Sequence, residues 1–186
     1  MIRTLALAIA FCAAMGIAQD KALAQAKADP QNTVILTTKD GDVTIRLRPD
    51  LAPKHVAQIK TLVKRKFYDG LTFHRVIAGF MAQTGDPNGN GTGGSDLPNI
   101  PAEFSSTPFK RGTVGMARAS DPNSANSQFF ICFADASFLN HNYTVVGEVV
   151  SGMDVVDKIK KGSKDDNGAV TAPDKIVRMR LASDPQ

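Results

Sequence analysis

The chain has 186 residues, enough for one domain with a full core and too few for two comfortable ones. Its 42% hydrophobic and 22% charged fractions are those of an ordinary globular protein, and the absence of Trp excludes an indole-based stacking or cage site. The net charge of +4 comes from scattered cations; the densest groups, Lys64–Lys66 and Lys158–Lys164, are not interleaved with aromatics, which argues against a nucleic-acid face.

Residues 1–26 read as a secretory signal peptide. Arg3 precedes the apolar, Ala-rich run Leu5–Ala18, and Ala24-Gln25-Ala26 is an A-x-A cleavage pattern, with Ala18 and Ala24 as alternative cleavage points. The run is short for a membrane span. Cys12 follows Phe11 where a lipid-modified signal would want a small residue, so export to the periplasm without a membrane anchor is expected. Residues 27–186 are then a single domain with net charge +3 and one cysteine, Cys132, which lies in the apolar run Phe129–Phe133 and reads as an inert buried thiol.

Val34–Thr38 and Val43–Leu47 are strand-like and flank Asp40-Gly41, a strong hairpin signal. Asp50-Leu51-Ala52-Pro53 opens a helix with Asp50 as candidate cap, and Val56, Ile59, Leu62 and Val63 give it one apolar face. Phe73–Ala78 and Phe80–Ala82, joined through Gly79, read as a tight strand–turn–strand unit; if its strands run antiparallel, Arg75 and Gln83 line one wall with Phe80 and Met81, the alternative being an ordinary hairpin with a solvated Arg. Gly85–Pro101 holds no regular element. Asp86, Asn88, Asn90 and Gly91 match the start of a calcium loop, but Leu97 stands where a bidentate Glu is needed, and no Gly-Lys-Ser/Thr follows the glycines to make a phosphate loop.

Thr113–Ala117, Gln128–Phe133 and Thr144–Val150 are further strands, with Phe138-Leu139-Asn140 a short apolar knuckle. Met153, Val156 and Ile159 mark a second, short helix with Ser151 or Asp154 at its entry. In the last strand Ile176, Arg178 and Arg180 alternate against Val177, Met179 and Leu181. About eight short strands with two helices suggest a barrel whose ends the helices plug.

Hydrolytic chemistry fails on inventory. His55, His74 and His141 have no Gly-x-Ser-x-Gly, Cys–His pairing or metal-spaced cluster beside them, and each reads as structural or exposed. What remains is Arg75, Gln83, Asn126 and Gln128 with Phe80, Phe130 and Phe138, a surface suited to binding a peptide and polarising an amide.

Five stretches carry a resemblance: FHRVIAGFMAQTGD (Phe73–Asp86), Gly91–Gly94, Pro101-Ala102-Glu103-Phe104, Gly115–Ala119 and Ser127–Ile131. Together they resemble the cyclophilin family of peptidyl-prolyl cis–trans isomerases over about Val34–Met179, in the manner of its bacterial periplasmic members. The resemblance implies a mainly β fold, a closed eight-stranded antiparallel barrel capped by two helices, and no cofactor or metal. It also implies Arg75 as the catalytic Arg, oriented by Gln83, with Phe80, Met81, Phe130 and Leu139 as walls of a proline pocket and Phe138 and Tyr143 at two further pocket positions. Ala117, Arg118, Ala119 and Gln128 match the groove for residues preceding the proline. The implied partners are proline-containing unfolded or nascent exported polypeptides, met by a monomer; the alternative is a proline-peptide-binding holdase with little dependence on turnover. Four departures stand out: Phe138 where many eukaryotic members have Trp, which weakens cyclosporin binding, Arg118 for a common Asn, Tyr143 for a frequent His, and Thr84 for a frequent Gly whose backbone would be strained at positive φ.

Overall fold

The structure is a computed structural model that describes residues 29–185, so the expected signal peptide lies outside the described residues. After a short 3₁₀ turn at Pro30–Asn32, strands β1 (Thr33–Thr38) and β2 (Gly41–Leu47) form the expected hairpin. Its register sets Val34 opposite Ile45 and Leu36 opposite Val43, so one face of the hairpin carries these four apolar side chains into the core. Helix α1 (Pro53–Lys64) turns Val56, Ile59, Leu62 and Val63 into the core and packs on the last strand, β8 (Arg178–Leu181). The intervening strands are β3 (Arg75–Ile77), β4 (Met81–Thr84), β5 (Thr113–Met116), β6 (Phe129–Cys132) and β7 (Val145–Ser151), with the six-residue helix α2 (Met153–Lys158) packed on β2.

All eight strands belong to one sheet in the order β3-β4-β6-β5-β7-β2-β1-β8, and every described pairing is antiparallel. The sheet does not close into a barrel. It curls through 205°, with β3 and β8 as its two end strands. Across the gap run irregular segments, joined by Gly70 N–H to Ile176 O at 2.7 Å, Ile176 N–H to Leu71 O at 2.8 Å and Phe73 N–H to Asp174 O at 2.9 Å. Gly70 (φ 81°), Ala172 (φ 50°) and Pro173 interrupt extended backbone on both sides, so no regular ladder forms there. The same irregularity corrects the expected alternation of the last strand. Arg178 and Arg180 do face away from Met179 and Leu181, but Ile176 is buried and Val177 is 58% exposed, because regular pairing begins only at Arg178.

The helix caps also differ from expectation. Asp50 is paired with Arg48 at 2.7 Å, and the residue preceding α1 is Ala52, with no side-chain cap. The N–H groups of Lys54 and His55 are met instead by the carboxylate of Glu103, each at 3.1 Å. Ser151 does not cap α2, since Gly152 precedes it in left-handed backbone at φ 89°, while Asp154 does lie in its first turn. Thr84 is unstrained β-strand, and the positive φ of 87° falls on Gly85, where a Cβ would lie 2.5 Å from Ser127 O.

The apolar residues form two cores. The larger lies between the sheet and the helices; the smaller gathers Met81, Phe109, Phe130, Cys132, Ala136, Leu139 and Val145 on the other side of β4, β6 and β5. The smaller core reaches the surface.

Candidate active site

Where the smaller core opens there is a hollow of about 440 Å³. Met81 on β4 and Phe130 on β6 line it, Leu139 reaches it from a 3₁₀ turn at Ser137–Leu139, and Phe80 stands in the β3–β4 turn. Phe138 caps the rim, 67% exposed, its ring 5.1 Å from that of Phe80. Phe130 is stacked on Phe109 at 5.8 Å and meets Tyr143 edge-on at 6.0 Å. This arrangement depends on Gly115 of β5, opposite Phe130, where a Cβ would come within 2.5 Å of the Phe130 ring and 2.6 Å of Phe109.

The polar edge of the hollow is set by strand register. Arg75 and Gln83 are cross-strand partners, and Gln83 is in turn opposite Phe130. Arg75 Nη1 donates to Gln83 Oε1 at 3.1 Å, Gln83 Nε2 donates to Gln128 Oε1 at 2.9 Å, and Gln128 Nε2 donates to the carbonyls of Gly91 and Gly93. Each amide is thereby fixed in orientation by its neighbour. On its other side Arg75 donates from Nε and Nη2 to Asn167, at 3.0 and 2.9 Å. Burial pulls the guanidinium below its ordinary pKa; it remains a cation, and among the described residues no carboxylate lies within 4.0 Å of it.

A second hollow of about 440 Å³ adjoins the first and shares Gln83, Ala117 and Arg118 with it. Ala119, Gln128, Asn126 and the Gly91–Gly94 backbone complete its lining. Arg118 lies between the two with its guanidinium 4.6 Å from the centre of the Tyr143 ring, donating to the carbonyls of Ala119, Ser120 and Asn142. Asn126 is structural: its Oδ1 accepts from the backbone N–H and hydroxyl of Ser95, and its Nδ2 donates to Leu97 O. The expected site residues therefore converge, but on two connected hollows: Ala119, Asn126 and Gln128 line the second alone, while the other ten line the first.

The histidines stand outside both hollows. His55 is fully buried, with Nδ1 2.7 Å from Glu103 Oε2. Burial lowers the imidazole pKa; burial would raise that of Glu103, but the His55 ring and two backbone N–H groups outweigh it and leave the carboxyl below its ordinary range. The pair is a neutral imidazole donating to a carboxylate rather than an ion pair. His74 is buried beside Asp86, whose carboxylate accepts from the N–H groups of Asn88, Asn90 and Gly91. Asp86 thus organises its own loop. His141 is exposed, in left-handed backbone at φ 61°.

Sequence reasoning missed Asn167 and Asn142 at the site and the capping role of Glu103. Asn167-Gly168 carries a turn signal, yet nothing local indicates contact with Arg75, 92 residues away.

Residues 33–181 match the family described as cyclophilin type peptidyl-prolyl cis-trans isomerase/CLD. A probable peptidyl-prolyl cis-trans isomerase of Brucella suis is 66% identical over 168 residues, covering 84% of this chain and 86% of that protein. A peptidyl-prolyl cis-trans isomerase of Helicobacter pylori is 44% identical over 131 residues, covering 68% of this chain and 80% of the relative. Among solved structures, a cyclophilin from Hirschia baltica superposes with a TM-score of 0.77 at 31% identity, covering 86% of this chain and 77% of that one. A cyclophilin type isomerase of Cryptosporidium parvum, crystallised in the presence of the dipeptide Ala-Pro, gives 0.75 at 28% identity, covering 82% of this chain and 99% of that one. With the fold, the apolar hollow and these relatives in agreement, the chain belongs to the cyclophilin family of peptidyl-prolyl cis–trans isomerases.

Proposed function

We propose that this isomerase acts in the periplasm on exported polypeptides as they fold, with Arg75 as its catalytic residue. The export reading rests on Arg3, the apolar run Leu5–Ala18 and the A-x-A pattern at Ala24–Ala26; its expectation is a periplasmic product that begins at Lys27 by N-terminal sequencing. The observation that carries the catalytic reading is a guanidinium fixed by neutral acceptors at the edge of an apolar hollow.

Rotation about an X–Pro bond breaks amide resonance, against a barrier of ~18–20 kcal/mol, and unaided it takes roughly tens to hundreds of seconds. In the twisted transition state the prolyl nitrogen becomes pyramidal and regains a lone pair. Arg75 has five N–H donors and three are engaged within the protein, which leaves two for that lone pair. The planar substrate accepts poorly at nitrogen, so the bond strengthens as the amide twists. This is differential binding of the transition state and requires neither proton transfer nor a covalent step. Met81, Phe130, Leu139 and Phe80 hold the proline ring, while the residues before it run past Ala117 and Gln128 towards the second hollow. Phe138 supplies a ring without an indole N–H, so cyclosporin is a weak ligand.

The test is isomerase turnover on an X-Pro peptide, followed by protease coupling or NMR exchange, with and without cyclosporin. Arg75→Ala should lower kcat/KM by about 10²–10³-fold with the fold intact, the cost of deleting one transition-state donor in comparable sites. A near-normal rate in that variant would remove Arg75 from the mechanism.

A further inference from the structure

Of the three hydrogen bonds that hold Arg75, two go to one residue. Asn167 accepts Nε–H on its backbone carbonyl and Nη2–H on its Oδ1, engaging one edge of the guanidinium as a fork while Gln83 takes Nη1. It does so in left-handed backbone at φ 46°, which Asn tolerates better than most residues. The turn around it is tied internally by Gly168 N–H to Ser163 O and Ala169 N–H to Asp166 O, and tied to β3 by Val76 N–H to Gly168 O and Gly162 N–H to Val76 O. A Cβ at Gly162 would lie 2.0 Å from Gly168 O, and one at Gly168 would lie 2.5 Å from Ile77 Cγ1, so the turn is pressed against the strand that carries Arg75.

We propose that Asn167 is a positioning residue for the isomerisation, holding the Arg75 guanidinium so that one N–H on each of Nη1 and Nη2 stays free for the prolyl nitrogen. The proposal rests on the reading of Arg75 as the catalytic residue. A long Arg side chain free to rotate would lose that freedom at the moment the amide twists; one already pinned has no such reorganisation to make. Because all three acceptors are neutral, pinning does not cancel the positive charge. The apolar hollow binds the planar substrate whether or not the guanidinium is ordered, so the effect falls on kcat and not on KM.

The experiment is a double-mutant cycle on the full chain. Asn167→Gly keeps left-handed backbone accessible and removes Oδ1 alone. In the parent it should lower kcat about tenfold with KM within twofold, and in an Arg75→Ala background it should change nothing. An unchanged kcat in the parent, or an equal loss in both backgrounds, overturns the proposal. Arg75→Ala retaining full activity by itself would instead overturn the reading of Arg75, and the proposal with it. Nitrogen-15 spectra of the unsubstituted protein give a second readout that does not depend on the variant folding: Arg75 should show resolved, slowly rotating Nη groups, and freely averaging ones would overturn the assignment.

Discussion

Arg118 lies between the two hollows, donating from Nη1 to the carbonyls of Ala119 and Ser120 and from Nη2 to that of Asn142, and among the described residues no carboxylate lies within 4.0 Å of it. With Arg75 it makes the lining positive, since neither hollow contains an Asp or Glu. Peptides with Glu before the proline should be turned over about fivefold faster, in kcat/KM, than those with Lys, and Arg118→Ala should abolish most of that difference, as should high salt. Equal rates for the two peptides at low salt would refute the electrostatic role. The charge itself was legible from the sequence because Arg118 lies in the Gly115–Ala119 motif. Its clamping of two loops was not, because its partners are backbone carbonyls that any residues could provide.

At the scale of elements, β5 and β6 show how a strand shapes the site through what it lacks. Gly115→Ala places a methyl where the Phe130 and Phe109 rings now lie. Overpacking of this kind costs about 1–3 kcal/mol, and displacement of Phe130 should raise KM for X-Pro peptides. Unchanged KM and thermal midpoint would show that the ring stack yields at no cost. Helix α1 is tied to the loop before β5 through Glu103, and this tie has a pH dependence that His74 and Asp86 reinforce. His55 and His74 have lowered pKa values, first because they are buried. Burial opposes the ionised forms of Glu103 and Asp86, but their hydrogen bonds prevail and lower both values. For all four groups the unfolded chain binds protons more readily than the folded one. The stability they contribute is therefore present at neutral pH and lost as pH falls. The urea midpoint should hold steady above about pH 7, decline below about 6.5 as the histidines of the unfolded chain protonate, and fall more steeply in the carboxylate range. A flat profile down to pH 5 would contradict this. The strands and both helices were legible from apolar periodicity, whereas the caps were misread: Asp50 had the right residue type at a helix entry, but Arg48 claims it and Glu103 reaches the same N–H groups from 48 or more residues away.

For the molecule as a whole, strand number and connectivity class followed from the sequence, and closure did not. Closure requires β3 and β8 to share a ladder, and the backbone on both sides of that gap is broken by Gly70, Ala172 and Pro173 in ways that only the register of the completed sheet reveals. Cys132, the only cysteine among the described residues, gives this architecture a further use. It lies fully buried on β6 in the apolar cluster that lines the first hollow, its thiol pKa pushed up to about 12 by burial and then by Asp135. A thiol reagent reaches it only through local opening of the structure, so labelling kinetics report the free energy of that opening. A peptide that occupies the hollow should slow labelling as its occupancy rises, whether or not its proline bond turns, and unchanged labelling at saturating peptide would place the opening elsewhere. The buried thiol thus supplies a binding gauge independent of catalysis, able to separate capture of a client from isomerisation in a single variant such as Arg75→Ala.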